Sequence, residues 1–404
     1  MKVLLSAIYP YIYLLLFFTI PFDEYTRALP NILLAVLVVA FPFVVKKTDF
    51  SKIKTIPALI FTSFCLYLIL NALVFNRLEE DFTVIKKILL CLGLVILYIP
   101  IQCFDKINKA ILFSSFAAIV FSVINIIILT NTITEFQFGS SPQVIEALLI
   151  DRLYLGFLCV LSILVSYNSF KPKFHPVNRY YFANIIANTL FLFLIGSKIS
   201  IALLAVLLVI RQLYGNNKKI RIPIVIGALT LCCILYLSVF TGSTQKKGIA
   251  KAAQNFLVNT TTWETRSITW ECAINNIENK SINWSGFGFY GTKDQLVSCY
   301  QTTIDDTYKK NQFTSKRYNA HNQFLDLYLS SGVIGFLLFA AFVITLFVKN
   351  RNNFYYTALL ATLIMYCMVE NVFQRQMGAY YIGFILIILV LKINKEQNKT
   401  IKEG

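Results

Sequence analysis

The chain has 404 residues, of which 57% are hydrophobic and 14% are charged. This composition excludes a water-soluble globular domain and indicates an integral membrane protein. The formal net charge of +17 is explained by lysine and arginine in loops between apolar segments, where they set membrane topology, and not by nucleic-acid binding.

Apolar runs recur along the whole chain, each of the roughly 17 to 25 residues that a helix needs to cross the bilayer. The pattern predicts about twelve transmembrane helices, at residues 3–21, 28–45, 56–75, 88–104, 110–130, 153–170, 181–195, 199–214, 222–240, 323–348, 354–370 and 379–393. The seventh and eighth are separated only by Gly196, Ser197 and Lys198, so a single broken or re-entrant pair is an alternative. The first run lacks a small-residue cleavage site, so we expect it to be retained.

These spans divide the chain into four parts. The predicted parts are an N-terminal bundle of about nine spans (1–240), a long polar segment (241–322), three C-terminal spans (323–393) and a tail (394–404). With both termini in the cytoplasm, more than half of the 37 lysine and arginine residues fall in cytoplasmic segments, as the positive-inside rule requires. The polar segment is then on the outer side of the membrane.

The polar segment is the only stretch longer than a modest loop, so we expect function there. Thr262 is predicted to cap a helix that begins at Trp263 and has Glu264 in its first turn. The apolar positions predicted to share one side of this helix are Trp263, Trp270, Ile274 and Ile277. This pattern predicts an amphipathic helix on the bilayer surface or against the bundle.

Further motifs follow along the same segment. Arg266 and Trp270 lie one helical turn apart, so the guanidinium can pack beside the indole. The stretch WSGFGFYG at 284–291 predicts a tight turn and is only weak support for a phosphate-binding loop. Cys272 and Cys299 are the two cysteines of the segment, and an oxidising compartment would permit a bridge between them. No cysteine or histidine cluster has the spacing of a metal site.

One of the two histidines of the chain, His321, lies where the polar segment meets the tenth span. An interfacial or capping histidine is the commoner explanation, but an ordinary imidazole also suits a general base. Lys198 lies between two apolar spans and Arg152 opens another, and charges at such depth usually face a cavity or a partner. Snorkelling to the interface is the alternative for both cations.

Three features in this order carry a family resemblance: Arg266 followed by Trp270, then GFGFYG, then AHNQFLDLYLSSGVIGFLLF. Over residues 262–339 the chain resembles the signature domain of the O-antigen ligase and polymerase family, multi-span glycosyltransferases of bacterial surface polysaccharides. The resemblance implies a GT-C-like fold in the bacterial inner membrane, with the active site on the periplasmic face. It implies transfer of a glycan from undecaprenyl diphosphate to an acceptor hydroxyl, without a metal or another cofactor.

The resemblance also implies roles for individual residues. Arg266 would bind the diphosphate, and His321 would be the base or would orient the acceptor. The other predicted residues for binding the diphosphate or a sugar are Lys198, Arg152, Trp270 and Asn322. The family usually has Ser-Arg where this chain has Ser197 and Lys198, so the charge is kept but the two-pronged geometry of arginine is lost.

Several functions share these features. The first hypothesis is a ligase that moves glycan onto the lipid A core, and a polymerase that joins repeat units would use the same donor and the same domain. A transporter or flippase is the competing class, since it also needs many spans and intramembrane cations. The absence of an internal sequence repeat and the long polar segment disfavour a transporter.

Overall fold

The computed structural model describes residues 2–23, 25–26, 28–132, 148–172, 175–214, 261–278 and 284–392. All regular elements in these ranges are helical, as the all-α prediction requires. The α-helices are α1 (Lys2–Thr19), α2 (Leu29–Val44), α3 (Ile56–Val74), α4 (Leu78–Leu97), α5 (Asp105–Thr132), α6 (Arg152–Asn168), α7 (Asn178–Leu194), α8 (Lys198–Leu213), α9 (Thr261–Glu278), α10 (Phe289–Thr303), α11 (Thr307–Lys316), α12 (Gln323–Asn350), α13 (Phe354–Val369) and α14 (Gln376–Val390). Short 3₁₀ turns cover Ile20–Phe22, Lys47–Ile53 and Val372–Gln374.

The apolar helices identify an integral membrane protein. Within the described ranges, the stretches long and apolar enough to cross a membrane are Val3–Phe22, Ile56–Val74, Asp105–Leu129 and Gln323–Asn350. Helices α2, α6, α13 and α14 are shorter apolar helices. On α3, Ile56, Leu59 and Val74 each expose more than two thirds of their surface, as a lipid-facing surface does. The number of twelve spans stays a prediction, and the predicted span 222–240 lies outside the described residues.

The predicted bounds of the fourth span, 88–104, are wrong. Helix α4 begins ten residues earlier and ends at Leu97. Three acidic residues in its first turn (Glu79, Glu80 and Asp81) interact favourably with the positive end of the helix dipole, which explains the earlier start. Pro100 follows shortly after the helix end, and a proline disfavours helical backbone in the residue before it.

The predicted tenth span, 323–348, is not one continuous helix. Within α12, Gly332 has φ 72° and ψ −174°, a conformation that is almost confined to glycine. Gly286, in the predicted turn, packs directly on this break. A Cβ on Gly332 would lie 2.2 Å from the Trp284 carbonyl oxygen, and a Cβ on Gly286 would lie 2.3 Å from the Ser330 carbonyl. Two glycines are therefore needed for the segments to cross.

Hydrogen bonds hold this crossing together. The backbone N–H of Phe287 donates to the Leu329 carbonyl at 2.7 Å, and that of Gly288 donates to the Ser330 carbonyl at 2.9 Å. Side chains at the end of α3 and the start of α4 donate to further carbonyls: Tyr67 to Ser331, Asn71 to Ser285, and Arg77 to Gly286. The GFGFYG turn thus supplies partners for backbone groups that the helix break leaves open.

Helices α7 and α8 are separate elements joined by a turn in which Gly196 has φ 59°. The start of α8 is tied to α13, because the Ser200 hydroxyl lies 2.8 Å from the Tyr366 hydroxyl. Helix α14 lies at the centre of the apolar core, since residues 378–390 are all buried. The first residues of α6, α8 and α14 lie at the end of the bundle that meets the polar segment. We call this end the site end of the bundle.

Helices α9, α10 and α11 of the polar segment form a small core of their own around Tyr300 and Phe313. The bridge that the sequence permits is present: Cys272 and Cys299 are disulfide-bonded, with Cα atoms 5.7 Å apart, and join α9 to α10. The predicted apolar face of α9 is displaced, because Thr269, Cys272 and Ala273 are buried while Ile274 is 43% exposed. The buried side of the helix is therefore the side that carries the disulfide.

The start of this helix differs from the prediction as well. Helix α9 begins at Thr261, so Thr262 lies inside its first turn and not before it. The side chains of Thr262, Trp263 and Glu264 lie outside the part that the structure describes. The predictions made for these side chains stay predictions.

Candidate active site

His321 lies in the short loop between α11 and α12, in a backbone conformation that holds its ring in place. Its φ of 43° is left-handed, which is uncommon for a residue other than glycine. The His321 N–H donates to Asn319 Oδ1 at 3.0 Å, and the Trp270 indole Nε1 donates to the His321 carbonyl at 3.3 Å. Two side chains therefore secure both backbone groups of this residue.

The two ring nitrogens of His321 have different surroundings. Nδ1 lies 3.2 Å from Oε2 of Glu370, whereas Nε2 is buried and has no hydrogen-bond partner among the residues that the structure describes. A carboxylate can only accept a hydrogen bond, so the proton of the neutral ring belongs on Nδ1. Nε2 then carries a lone pair, which is the arrangement that a general base requires.

Glu370 follows the last residue of α13 and is largely buried. Burial is the largest single influence on this carboxyl and raises its pKa, but the hydrogen bond with His321 and nearby positive charge outweigh burial. The net pKa of Glu370 is therefore lowered below its ordinary value. Positive charge acts on it from Arg266 and Arg375, and from His321 when the ring is protonated.

Arg266 approaches the same carboxylate from α9. Its Nε donates to the Val369 carbonyl at 2.9 Å, one residue before Glu370. Burial lowers the pKa of the Arg266 guanidinium, and the negative charge of Glu370 opposes this shift. An arginine stays charged in spite of such a shift, so a positive charge lies beside the His321 and Glu370 pair.

The other predicted cations lie near this centre. Arg152, the first residue of α6, is close enough for its charge to act on both Arg266 and Lys198. Lys198 is the first residue of α8. Arg375 completes the group, with its Nη1 3.9 Å from Asp151, and its charge reaches Glu370. Positive charges from α6, α8, α9 and the start of α14 thus share the site end of the bundle.

Asn322 and Trp270, the remaining predicted site residues, have structural contacts. The Asn322 Oδ1 accepts from the N–H groups of Phe324 and Leu325 and so caps α12. Trp270 supports the His321 loop through its indole. Their predicted roles in binding substrate stay predictions, as do those of His321, Arg266, Lys198 and Arg152.

Sequence reasoning missed Glu370 and Arg375. One signal was available for Glu370, because an acidic residue at the end of an apolar span is costly and so suggests a functional site. No spacing rule connects it to His321, which lies 49 residues earlier.

No cluster of three or more His, Cys, Asp or Glu residues suited to a metal ion occurs within the described ranges.

The family model described as O-Antigen ligase matches residues 183–340. This match includes Lys198, Arg266 and His321 and stops before Glu370 and Arg375. No protein of curated function matches the chain in sequence.

Proposed function

We propose, from the match of residues 183–340 to the family model described as O-Antigen ligase, that the chain transfers a glycan from undecaprenyl diphosphate to a sugar hydroxyl. The proposed acceptor is the lipid A core, which makes the enzyme a ligase. In this proposal the protein lies in the inner membrane, both termini are cytoplasmic, and the site end of the bundle faces the periplasm.

The observation that carries this proposal is the state of the His321 ring. Its Nδ1 is paired with Glu370 and its buried Nε2 has no partner among the described residues. A buried polar atom without a hydrogen bond costs free energy. An acceptor hydroxyl that donates to Nε2 would satisfy this atom.

The reaction follows from these groups. Nε2 of His321 takes the proton of the acceptor hydroxyl as that oxygen forms a bond to the anomeric carbon of the donor glycan. The bond between the anomeric carbon and the phosphate oxygen breaks, and its electron pair leaves with the diphosphate. Glu370 stabilises the imidazolium that forms, in the way that a carboxylate supports a catalytic histidine elsewhere.

The surrounding cations stabilise the leaving group. The diphosphate is already activated, so the enzyme has to neutralise charge that develops on it and orient the two substrates. Arg266 lies nearest to the His321 and Glu370 pair, and Arg152, Lys198 and Arg375 extend the positive field. The guanidinium of Arg266 can bind a phosphate through two parallel hydrogen bonds.

Replacement of the base and of the nearest cation tests this proposal. We expect His321→Ala and Arg266→Ala each to reduce the polysaccharide ladder on lipid A by about 100-fold or more, at expression matched to that of the unchanged protein. His175→Ala is the matched control, since His175 lies in the basic loop between α6 and α7 and not in the candidate site. Unchanged ladders in both site variants would contradict the assignment.

Deletion of the protein tests the choice of acceptor. We expect loss of a ligase to leave long glycan on its lipid carrier and none on lipid A. A single repeat unit on lipid A would instead identify a polymerase and contradict the proposed acceptor.

A further inference from the structure

A chain of hydrogen bonds connects a fully buried carboxylate to the backbone of His321. Gln374 Nε2 donates to both oxygens of Asp326, at 3.2 and 3.3 Å. Gln374 Oε1 accepts from Asn319 Nδ2 at 3.0 Å. The Asn319 Oδ1 then accepts from the His321 N–H at 3.0 Å.

The hydrogen bonds in this chain all run in one direction. Both Asp326 oxygens accept from the amide nitrogen of Gln374, so the amide oxygen of Gln374 points away from Asp326. That oxygen requires a donor, so Asn319 must present its amide nitrogen to Gln374. The Asn319 oxygen is then left for the backbone N–H of His321, and hydrogen bonds in such a chain strengthen one another.

The same glutamine also secures the loop that carries Glu370. The Gln374 carbonyl accepts from Lys87 Nζ at 2.5 Å, and the neighbouring Phe373 N–H donates to Gln323 Oε1 at 3.0 Å. Residues 372–374 form a 3₁₀ turn two residues after Glu370. One side chain therefore connects the loop of the base to the loop of its carboxylate.

The conformation of His321 explains why such a connection is needed. A left-handed backbone at a residue other than glycine persists only when the surroundings enforce it. Among the described residues, the bonds from His321 N–H to Asn319 and from Trp270 to the His321 carbonyl are contacts of this kind. If the Asn319 bond is lost, the backbone at His321 can relax, and the ring then moves relative to Glu370.

We propose that Asp326, Gln374 and Asn319 form a positioning relay that fixes the position of the His321 ring relative to Glu370. This inference rests on the proposed function for its catalytic consequence, although the positional effect can be measured without it. The three residues act through His321 and do not themselves contact the reacting atoms.

The first experiment measures the position of His321 without any substrate. Diethyl pyrocarbonate acylates neutral imidazole nitrogens, and His175 is the only other histidine in the chain, so it serves as an internal reference. In the purified full chain we expect Asp326→Asn, Gln374→Leu and Asn319→Ala each to raise the ratio of His321 to His175 labelling. The rise should be about fivefold, the change in an opening equilibrium when one hydrogen bond of typical net strength is lost.

Gln376→Leu is the matched control for Gln374→Leu. Gln376 lies two residues away and donates instead to Asn31, at 2.9 Å. We expect this variant to keep the labelling ratio and the melting temperature of the unchanged protein. An unchanged ratio in all three relay variants, or an equal rise in Gln376→Leu, would overturn the relay.

The second experiment separates positioning from substrate binding. In initial-rate assays with lipid-linked donor, we expect the relay variants to lower kcat by about 10- to 100-fold and to leave the KM for the donor within about twofold. Because the relay acts as a unit, the double variant of Asp326→Asn and Asn319→Ala should lose no more than the worse single variant. A raised KM with unchanged kcat, or losses that multiply, would contradict the relay.

The two experiments distinguish the relay from the proposed function. If the chain does not transfer glycan, His321→Ala leaves the polysaccharide unchanged while the labelling result still holds. If the relay is wrong, the labelling ratio does not change even though His321→Ala abolishes transfer.

Discussion

The Nδ1 atom of His321 lies 3.2 Å from Oε2 of Glu370, across 49 residues of sequence. This contact joins the loop before α12 to the end of α13, two elements that meet only in the folded bundle. It also distinguishes the two ring nitrogens, because Nδ1 is paired with Glu370 while Nε2 has no hydrogen-bond partner in the described part of the chain. The charge of Glu370 is therefore the first property to test.

Glu370→Gln removes this charge and keeps an acceptor for the ring. The pKa of Glu370 is lowered from its ordinary value near 4.5, and a carboxyl with a lowered folded-state pKa stabilises the fold at pH above its unfolded value. This contribution is lost as the pH falls through the folded-state pKa. We expect Glu370→Gln to melt below the unchanged protein at pH 7, and the difference to shrink as the buffer is acidified below pH 4.5.

Glu271→Gln, an exposed position on α9, is the control for this melting series. It should follow the unchanged protein at every pH. A melting difference for Glu370→Gln that does not vary with pH would show that its charge does not contribute to folding.

The disulfide between Cys272 and Cys299 should stabilise the polar segment. It closes a loop with a sequence separation of 27, for which the chain-entropy model gives about 3 to 4 kcal/mol. We expect Cys272→Ser to lower the melting temperature, to make α9 and α10 sensitive to proteolysis, and to remove the mobility shift between reducing and non-reducing gels. Cys103→Ser, at a free and partly exposed cysteine, should change none of these properties.

Gly332→Ala should damage the crossing between α12 and the GFGFYG turn. The added Cβ would lie 2.2 Å from the Trp284 carbonyl oxygen, and the backbone conformation itself would cost about 1 to 3 kcal/mol. We expect lower thermal stability and loss of surface polysaccharide. Gly93→Ala, in α4, meets no atom within 4 Å and should be neutral or slightly stabilising; equal effects of the two substitutions would contradict this account.

Asn322→Ala should remove the cap of α12 and destabilise the protein by about 1 kcal/mol. Asn322→Ser retains a hydroxyl that can cap the helix, so its melting temperature should stay near that of the unchanged protein. Activity then separates the two roles of this residue. Loss of transfer in Asn322→Ser at unchanged stability would support the predicted contact with substrate. Retained transfer would show that Asn322 acts only as the cap of α12.

The membrane class and most helices could be predicted from the sequence, and so could the choice of His321 and Arg266 as candidate site residues. These features have local causes: apolar runs of sufficient length, a histidine at a helix start, and an arginine one turn before a tryptophan. The bounds of α4 and the break at Gly332 could not be predicted in this way. The break lies where another segment crosses α12, since Gly286 packs against Gly332.

The sequence by itself determined that this is a helical membrane protein and that His321 and Arg266 belong to its polar segment. Only the tertiary structure decided which groups surround the imidazole. Glu370 reaches the ring from the end of α13, whereas Gln374 and Asp326 connect to the His321 backbone through Asn319. No periodicity relates positions so far apart along a chain. The state of a titratable ring depends on burial and on neighbouring charge, and both arise only when the helices pack together.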